Sequence, residues 1–212
     1  MEVVKVTFIQ DKRYCAVFLE DGSRFRLDRA GVLRAGLRPG KDVFPDEMAE
    51  MEARWEERKV RERALRLISY RSHSRRELVE KLKRQTDSQT AELVADQLEE
   101  SGLIDDGAYA RELVQALVQG KGYGRRRVEL ELKRRGIRGE ALEEALAELT
   151  EESAEEIVEL LYYRYPQGRG LSGEKEIQRA ANRLIRLGYG YGPVQAALER
   201  YLEELEEEGR EL

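Results

Sequence analysis

The sequence predicts a mainly α-helical chain, a tandem array of three three-helix repeats preceded by a small antiparallel β-containing N-terminal segment. Three observations carry this. An apolar pattern recurs at a pitch near 50 residues: Leu78 and Leu82 are matched by Val128 and Leu132, then by Ala180 and Leu184, while Leu98 is matched by Leu146 and Leu198. From Pro45 onward helix formers dominate, with apolar residues three to four apart. Only the stretch before Pro45 alternates with the period of two that marks strands.

Taken in order, Val4, Val6 and Phe8 alternate, Tyr14 to Leu19 is a short apolar and aromatic run, and Arg24-Phe25-Arg26-Leu27 alternates again. Asp21-Gly22, a pair favoured in tight hairpins, separates the last two, so a three-stranded antiparallel meander is expected. Leu33, Leu37 and the turn Arg38-Pro39-Gly40-Lys41 follow, and Pro45-Asp46-Glu47 suits a helix's first turn. Each repeat then has a first helix (Ala64, Leu65, Ile68; Tyr109, Leu113, Leu117; Ile157, Leu160, Leu161), a basic second helix and an amphipathic third, such as Leu142, Ala145, Leu146 and Leu149. Ser74-Arg75-Arg76-Glu77 and Ser153-Ala154-Glu155-Glu156 read as capping boxes, and Asp105 or Asp106 can cap the helix after them. Gly102-Leu103, Gly136-Ile137 and Gly188-Tyr189 place glycine where a left-handed cap ends a helix. The expected division is 1–58 for the meander and a connecting helix, then repeats at 59–104, 105–150 and 151–212, the last with an acidic tail.

Composition narrows the function. Of 212 residues, 38% are charged, and no run of about 18 uncharged apolar residues occurs to span a membrane. The start, Met1-Glu2-Val3-Val4-Lys5, lacks a basic-then-apolar leader, so a cytoplasmic protein is expected. One cysteine, Cys15, rules out an internal disulfide, and with His73 as the one histidine no four-ligand Cys/His zinc site can form. The formal charge of −5 hides segregation of the signs. Arg61 to Arg84 carries nine Lys/Arg against three acids, and Lys121 to Arg138 eight against two; Glu140 to Glu159 has nine glutamates and no base, and Glu199 to Leu212 seven against two arginines.

Gly168-Arg169-Gly170-Leu171-Ser172-Gly173 matches the dinucleotide fingerprint in letters only, because no strand-helix-strand unit surrounds it and no acid follows at ribose distance. Gly120, Gly122 and Gly124 occupy the equivalent loop of the second repeat and suggest a connector that approaches another molecule's backbone. His73 reads as a solvated loop side chain. The glutamates read as solvated faces, so no enzyme, metal or cofactor is expected. The basic second helices are the informative feature: Arg75, Arg76, Lys83 and Arg84 in the first repeat, Arg125, Arg126, Arg127, Lys133, Arg134 and Arg135 in the second, Lys175, Arg179, Arg183 and Arg186 in the third. They are either a solvated face laced with i,i+4 pairs such as Glu80 with Arg84, or a repeated positive surface for a polyanion or an acidic protein groove, with Tyr123 or Tyr165 for stacking. A helix-turn-helix reading fails, since the helix after the turn carries Glu140, Glu143, Glu144 and Glu148, which would face phosphates. Any DNA contact should therefore be to backbone and indifferent to sequence.

Tyr70-Arg71-Ser72-His73-Ser74-Arg75-Arg76-Glu77-Leu78, then Gly102-Leu103-Ile104-Asp105-Asp106-Gly107-Ala108-Tyr109-Ala110, then Gly124 to Leu132 running into Lys133-Arg134-Arg135-Gly136-Ile137, resembles the RecX family of bacterial recombination regulators. The resemblance covers nearly the whole chain, and the third repeat, with Tyr162-Tyr163-Arg164-Tyr165, departs furthest. It implies a non-enzymatic modulator of the RecA recombinase in DNA repair and SOS control. Such a protein lies along the groove of the RecA filament on single-stranded DNA and reduces strand exchange, ATPase and coprotease activity. A monomer without cofactors is expected, with Arg75, Arg76, Lys83, Arg84, Arg125, Arg126, Arg127, Lys133 and Arg134 as the residues that meet DNA or recombinase. The alternative is a stand-alone, sequence-nonspecific nucleic-acid-binding helical protein.

Overall fold

The computed structural model describes residues 1–9, 14–149, 153–171 and 173–210, apart from the side chains of residues 168 and 208–210. Ser172 of the glycine-rich motif, Glu151 and Glu152 of the acidic run, and the end of the acidic tail lie outside the described residues. Helix makes up 67% of the chain, with one small three-stranded antiparallel sheet at the N-terminal end. The strands are β1 (Val3–Ile9), β2 (Tyr14–Leu19) and β3 (Arg24–Asp28), in the order β1-β2-β3. Ten α-helices follow among the described residues: α1 (Arg29–Arg34), α2 (Pro45–Tyr70), α3 (Arg75–Leu82), α4 (Ser88–Glu100), α5 (Asp106–Lys121), α6 (Arg125–Arg134), α7 (Gly139–Ala147), α8 (Ala154–Arg164), α9 (Glu174–Leu187) and α10 (Tyr191–Arg210), with a single 3-10 turn at Pro166–Gly168. By contacts they form two compact units, residues 1–71 with 78–101, and residues 72–77 with 102–212.

In the first unit the meander buries Cys15, Val17 and Leu19 of β2 and Leu27 of β3 against Val32, Leu37 and Met48. The alternation Val4, Val6, Phe8 locates β1 but not its inner face. Val4 and Phe8 are 58% and 51% exposed, whereas Val3 is fully buried. Val3 pairs with Leu19 and Lys5 with Phe18, so β1 carries one extra residue there, and this bulge turns Val3 and Val6 inward. Helix α2 runs unbroken through residue 58, giving Met48 to the meander's core and burying Val60 and Ala64 further along. Glu57 and Arg61 hold the Gln97 side chain of α4 at 2.6 and 3.0 Å.

The second unit has two apolar clusters. One gathers Tyr109, Val114 and Leu117 of α5, Val128 and Leu132 of α6, and Leu142 and Leu146 of α7. The other gathers Ile157 and Leu161 of α8, Ala180 and Leu184 of α9, and Val194, Leu198 and Tyr201 of α10. The landmark residues read from the repeat are thus the buried ones, and each pair at i,i+4 on a second helix points inward.

A seam recurs between the start of one second helix and the end of the next. At the end of α6, Ile137 N–H reaches the Leu132 carbonyl and Gly136 N–H that of Lys133; at the end of α9, Tyr189 and Gly188 do the same to Leu184 and Ile185. These caps need φ of +91° at Gly136 and +101° at Gly188. They also need bare Cα atoms, because a Cβ on Gly136 would lie 2.6 Å from the Arg76 Cβ, and one on Gly188 2.4 Å from the Arg127 nitrogen. Across the first contact the Ser74 hydroxyl donates to the Arg135 carbonyl. Across the second, Gly124 N–H donates to the Leu187 carbonyl at 2.9 Å and Arg126 N–H to that of Gly188 at 3.3 Å. The close backbone approach suggested by Gly120, Gly122 and Gly124 is therefore made within the chain: Gly120 lies in α5, Gly122 caps it at φ +60°, and Gly124 is the N-cap of α6. At the start of α9 the Glu176 carboxylate folds back to 3.0 Å from where a Gly173 Cβ would stand.

Gly188→Ala is expected to cost about 2–4 kcal/mol, combining an overpacked backbone contact with a disfavoured left-handed alanine. Gly139→Ala, at φ +56° with open space around it, should cost only about 1 kcal/mol. Urea denaturation of the two variants measures the difference.

Candidate interaction surface of the second helices

With Leu78, Val79 and Leu82 of α3, and Val128 and Leu132 of α6, turned inward, the basic residues occupy the other positions of these helices. Their surroundings differ sharply. Arg125 extends to the end of α7, where its guanidinium donates to the carbonyls of Leu146 at 2.7 Å and Leu149 at 3.5 Å. It thereby satisfies acceptors that a helix end leaves open. Arg127 pairs with Glu131 at 3.1 Å, Lys133 with Glu129 at 2.5 Å, and Arg134 more loosely with Glu131 at 3.9 Å. Lys83 reaches Glu92 of α4 at 3.1 Å. Arg135 donates to the Tyr109 hydroxyl at 2.8 Å and pairs with Glu77 at 3.3 Å.

Among the described residues no carboxylate lies within ion-pair distance of Arg76, Arg84 or Arg126, all three exposed. The Glu80–Arg84 pair expected from spacing does not form, because α3 ends at Leu82 and Arg84 lies beyond the helical geometry. Arg76 lays its stem over Gly136. In the third repeat Arg179, its side chain 77% exposed, stands 3.7 Å from Glu176, and Lys175, Arg183 and Arg186 are exposed.

Tyr123 has the Lys121 ammonium and the Arg127 guanidinium each 5.5 Å from its ring centroid, so cations already crowd this half-buried ring. Tyr165 is half-buried, its carbonyl taking the Tyr201 hydroxyl, and Tyr162 meets Tyr201 edge-on at 4.7 Å. Aromatics that sequence reasoning gave no role stand exposed, Tyr70 at 89% and Tyr163 at 85%; Tyr163 is the member of its run that falls off the apolar spacing of α8. His73, expected in solvent, is only 4% exposed, since the neighbouring Ser74 is drawn against the Arg135 carbonyl.

The start of α3 shows how an acidic pair divides its work. Asp105 caps its own helix by accepting from Ala108 N–H at 2.9 Å, while Asp106 accepts from Arg75 N–H at 2.7 Å and Ser74 from Glu77 N–H at 3.1 Å. Burial raises the Asp106 pKa above the ordinary aspartate value, against the lowering effect of that hydrogen bond and of the Arg75 charge. The folded chain therefore favours the protonated acid: the contribution is fully present below the unfolded-state pKa and is lost as pH rises through the folded one.

Residues 61–98 match RecX, first three-helix domain, and residues 105–146 match RecX, second three-helix domain. A regulatory protein RecX from Streptomyces coelicolor is 36% identical over 149 residues, covering 69% of this chain and 78% of that one. The chain belongs to the RecX family. A RecX from Clostridioides difficile is 26% identical over 197 residues, covering 92% of this chain and 88% of its own. Crystal structures of a regulatory protein RecX and of RecX from Lactobacillus salivarius share the fold, at TM-scores of 0.64 and 0.58, each 22% identical. The first covers 93% of this chain and 98% of that one, the second 69% and 96%. The two matched RecX domains contain α3 and α6 with their basic residues, and both matched stretches end before α9.

Within this RecX-family chain Arg125→Ala is expected to lower stability by about 1 kcal/mol through the lost helix-end bonds, whereas Arg126→Ala should stay within about 0.5 kcal/mol of the parent. Equilibrium denaturation separates them. Asp106→Asn keeps an acceptor but cannot ionise, so it should match or exceed the parent's melting temperature near neutrality and lose any advantage below about pH 4. Melts at the two pH values test the sign.

Proposed function

We propose that this chain is a non-catalytic regulator that binds the RecA–single-stranded DNA filament and lowers its strand exchange, ATPase and coprotease activities, acting in the cytoplasm as a monomer. The supporting observation is the set of exposed cations without carboxylate partners among the described residues, Arg76 and Arg126 on second helices and Arg84 just past the end of α3, in a RecX-family chain. Lys133 adds charge through a solvent-open pair with Glu129 that releases at little cost, about 0–1 kcal/mol, and Arg134, 78% exposed and only loosely paired at 3.9 Å, adds more, whereas Arg127 is held to the mostly buried Glu131. Arg125 belongs to the fold, and the role of Arg75, whose N–H is held by Asp106, is secondary to that of Arg76. The glutamates of α7, Glu140, Glu143, Glu144 and Glu148, are exposed and suit basic protein surface better than phosphate.

Order of addition distinguishes a filament regulator from a simple DNA binder. Added to preformed RecA filaments, the chain should lower ATP hydrolysis at concentrations well below those that bind naked strands, and Arg76→Glu with Arg126→Glu should weaken that inhibition with helical content unchanged. Inhibition seen only when the chain meets DNA first, and tracking naked-strand affinity across the variants, would establish the stand-alone binder instead. On naked single strands, Arg126→Ala should flatten the salt dependence of binding by about 0.7 in logarithmic slope, the share of one phosphate contact. Arg125→Ala should leave the slope unchanged.

A further inference from the structure

Apart from the second helices, the first unit contains a groove of about 390 Å³ between α1 and α2. Its floor is apolar, formed by Leu27, Met51 and Trp55, and its rim carries Arg34, Arg54 and Arg58. We propose that this groove binds an acidic peptide segment bearing one large apolar side chain.

Charge and chemistry select that occupant. Arg34, the last residue of α1, is exposed and has no carboxylate within ion-pair distance among the described residues. Arg54 pairs with Glu50 at 3.1 Å, but the two side chains are 74% and 69% exposed, so an incoming carboxylate displaces Glu50 at little cost. Arg58 is anchored by Asp28 at 2.8 Å, and the other oxygen of Asp28 caps α1 through Gly31 N–H, which holds the two walls together. Two available guanidinium forks above an apolar floor match carboxylates flanking a hydrophobic residue. Met51, unbranched and polarisable, adapts to that residue's shape.

A nucleic acid fits less well. Trp55 is 6% exposed, and its face is covered by the Lys59 ammonium 4.1 Å from the ring centroid. It offers a strand no stacking platform. None of these residues belongs to the second-helix surface, so the groove's occupant and the filament reading are tested separately.

Trp55 is the chain's one tryptophan and lines the groove, so it reports occupancy directly. A dye-labelled peptide, acetyl-Glu-Asp-Glu-Phe-Asp-Glu-Glu-amide, is titrated with the full chain and followed by anisotropy, while an unlabelled copy is followed by Trp55 emission. Saturable binding with a shift in Trp55 emission is expected, with Arg34→Glu and Arg54→Glu each weakening it about tenfold and replacement of the peptide's Phe by Ser by a similar factor. Both variants sit on exposed positions, and circular dichroism checks that they fold. The proposal is overturned by absence of saturable binding, by binding indifferent to both charge reversals or to the Phe replacement, or by displacement of the peptide by short oligothymidylate, which would make the groove a nucleic-acid site.

Discussion

Helix ends carry peptide groups that the helix itself cannot pair, and this chain pairs them by setting the start of one second helix against the end of the next. At Ser74 with Arg135, and at Gly124 with Leu187, an early donor meets a late carbonyl. The partial charges of the two ends attract as well, since a helix's start is electropositive and its end electronegative. The contact tolerates no side chain at Gly136 or Gly188, and both glycines also adopt the left-handed angle that closes their own helix. One atom's absence thus serves two purposes, and the orientation of α6 and α9, with the faces they offer outward, follows from it.

That orientation sorts the cations. Two are drawn into the fold, Arg125 onto the end of α7 and Arg135 onto Glu77 and Tyr109. Those midway along an outward face pair with their own helix, as Arg127 and Lys133 do. The remainder, Arg76, Arg84 and Arg126, keep their charge in solvent. A surface that reads as uniformly basic in sequence is therefore a few available charges set among many engaged ones.

The repeat, its buried landmarks and its caps were legible because each depends on residues within one or two helical turns. Leu78 and Leu82, Ser74 with Glu77, and Gly136 before Ile137 are all local statements. What was not legible depends on partners far along the chain. Nothing near Arg125 says that its acceptor lies 21 residues away, nor near Arg135 that its carboxylate lies 58 residues back. His73 looked solvated because the acceptor that ties down its neighbour Ser74, the Arg135 carbonyl, lies 61 residues on. The inner face of β1 is not readable locally for a related reason, since the bulge is defined by pairing with β2. The groove between α1 and α2 had no signature either: Arg34, Arg54 and Arg58 form no motif until two helices bring them to one rim.

The glycine at each seam also sets the repeats apart. In the aligned repeats the position of Gly136 and Gly188 is held in the first repeat by Thr86, whose Cβ would obstruct the approach that the glycines permit, and no left-handed cap forms there. At the other end Glu176 folds over the start of α9, where a following helix end would have to sit. The seam contact is heterologous, so its two partners can differ along the chain: the first repeat carries a methyl-bearing residue where the other two carry a bare Cα, and the start of α9 carries a carboxylate where the starts of α3 and α6 meet a helix end.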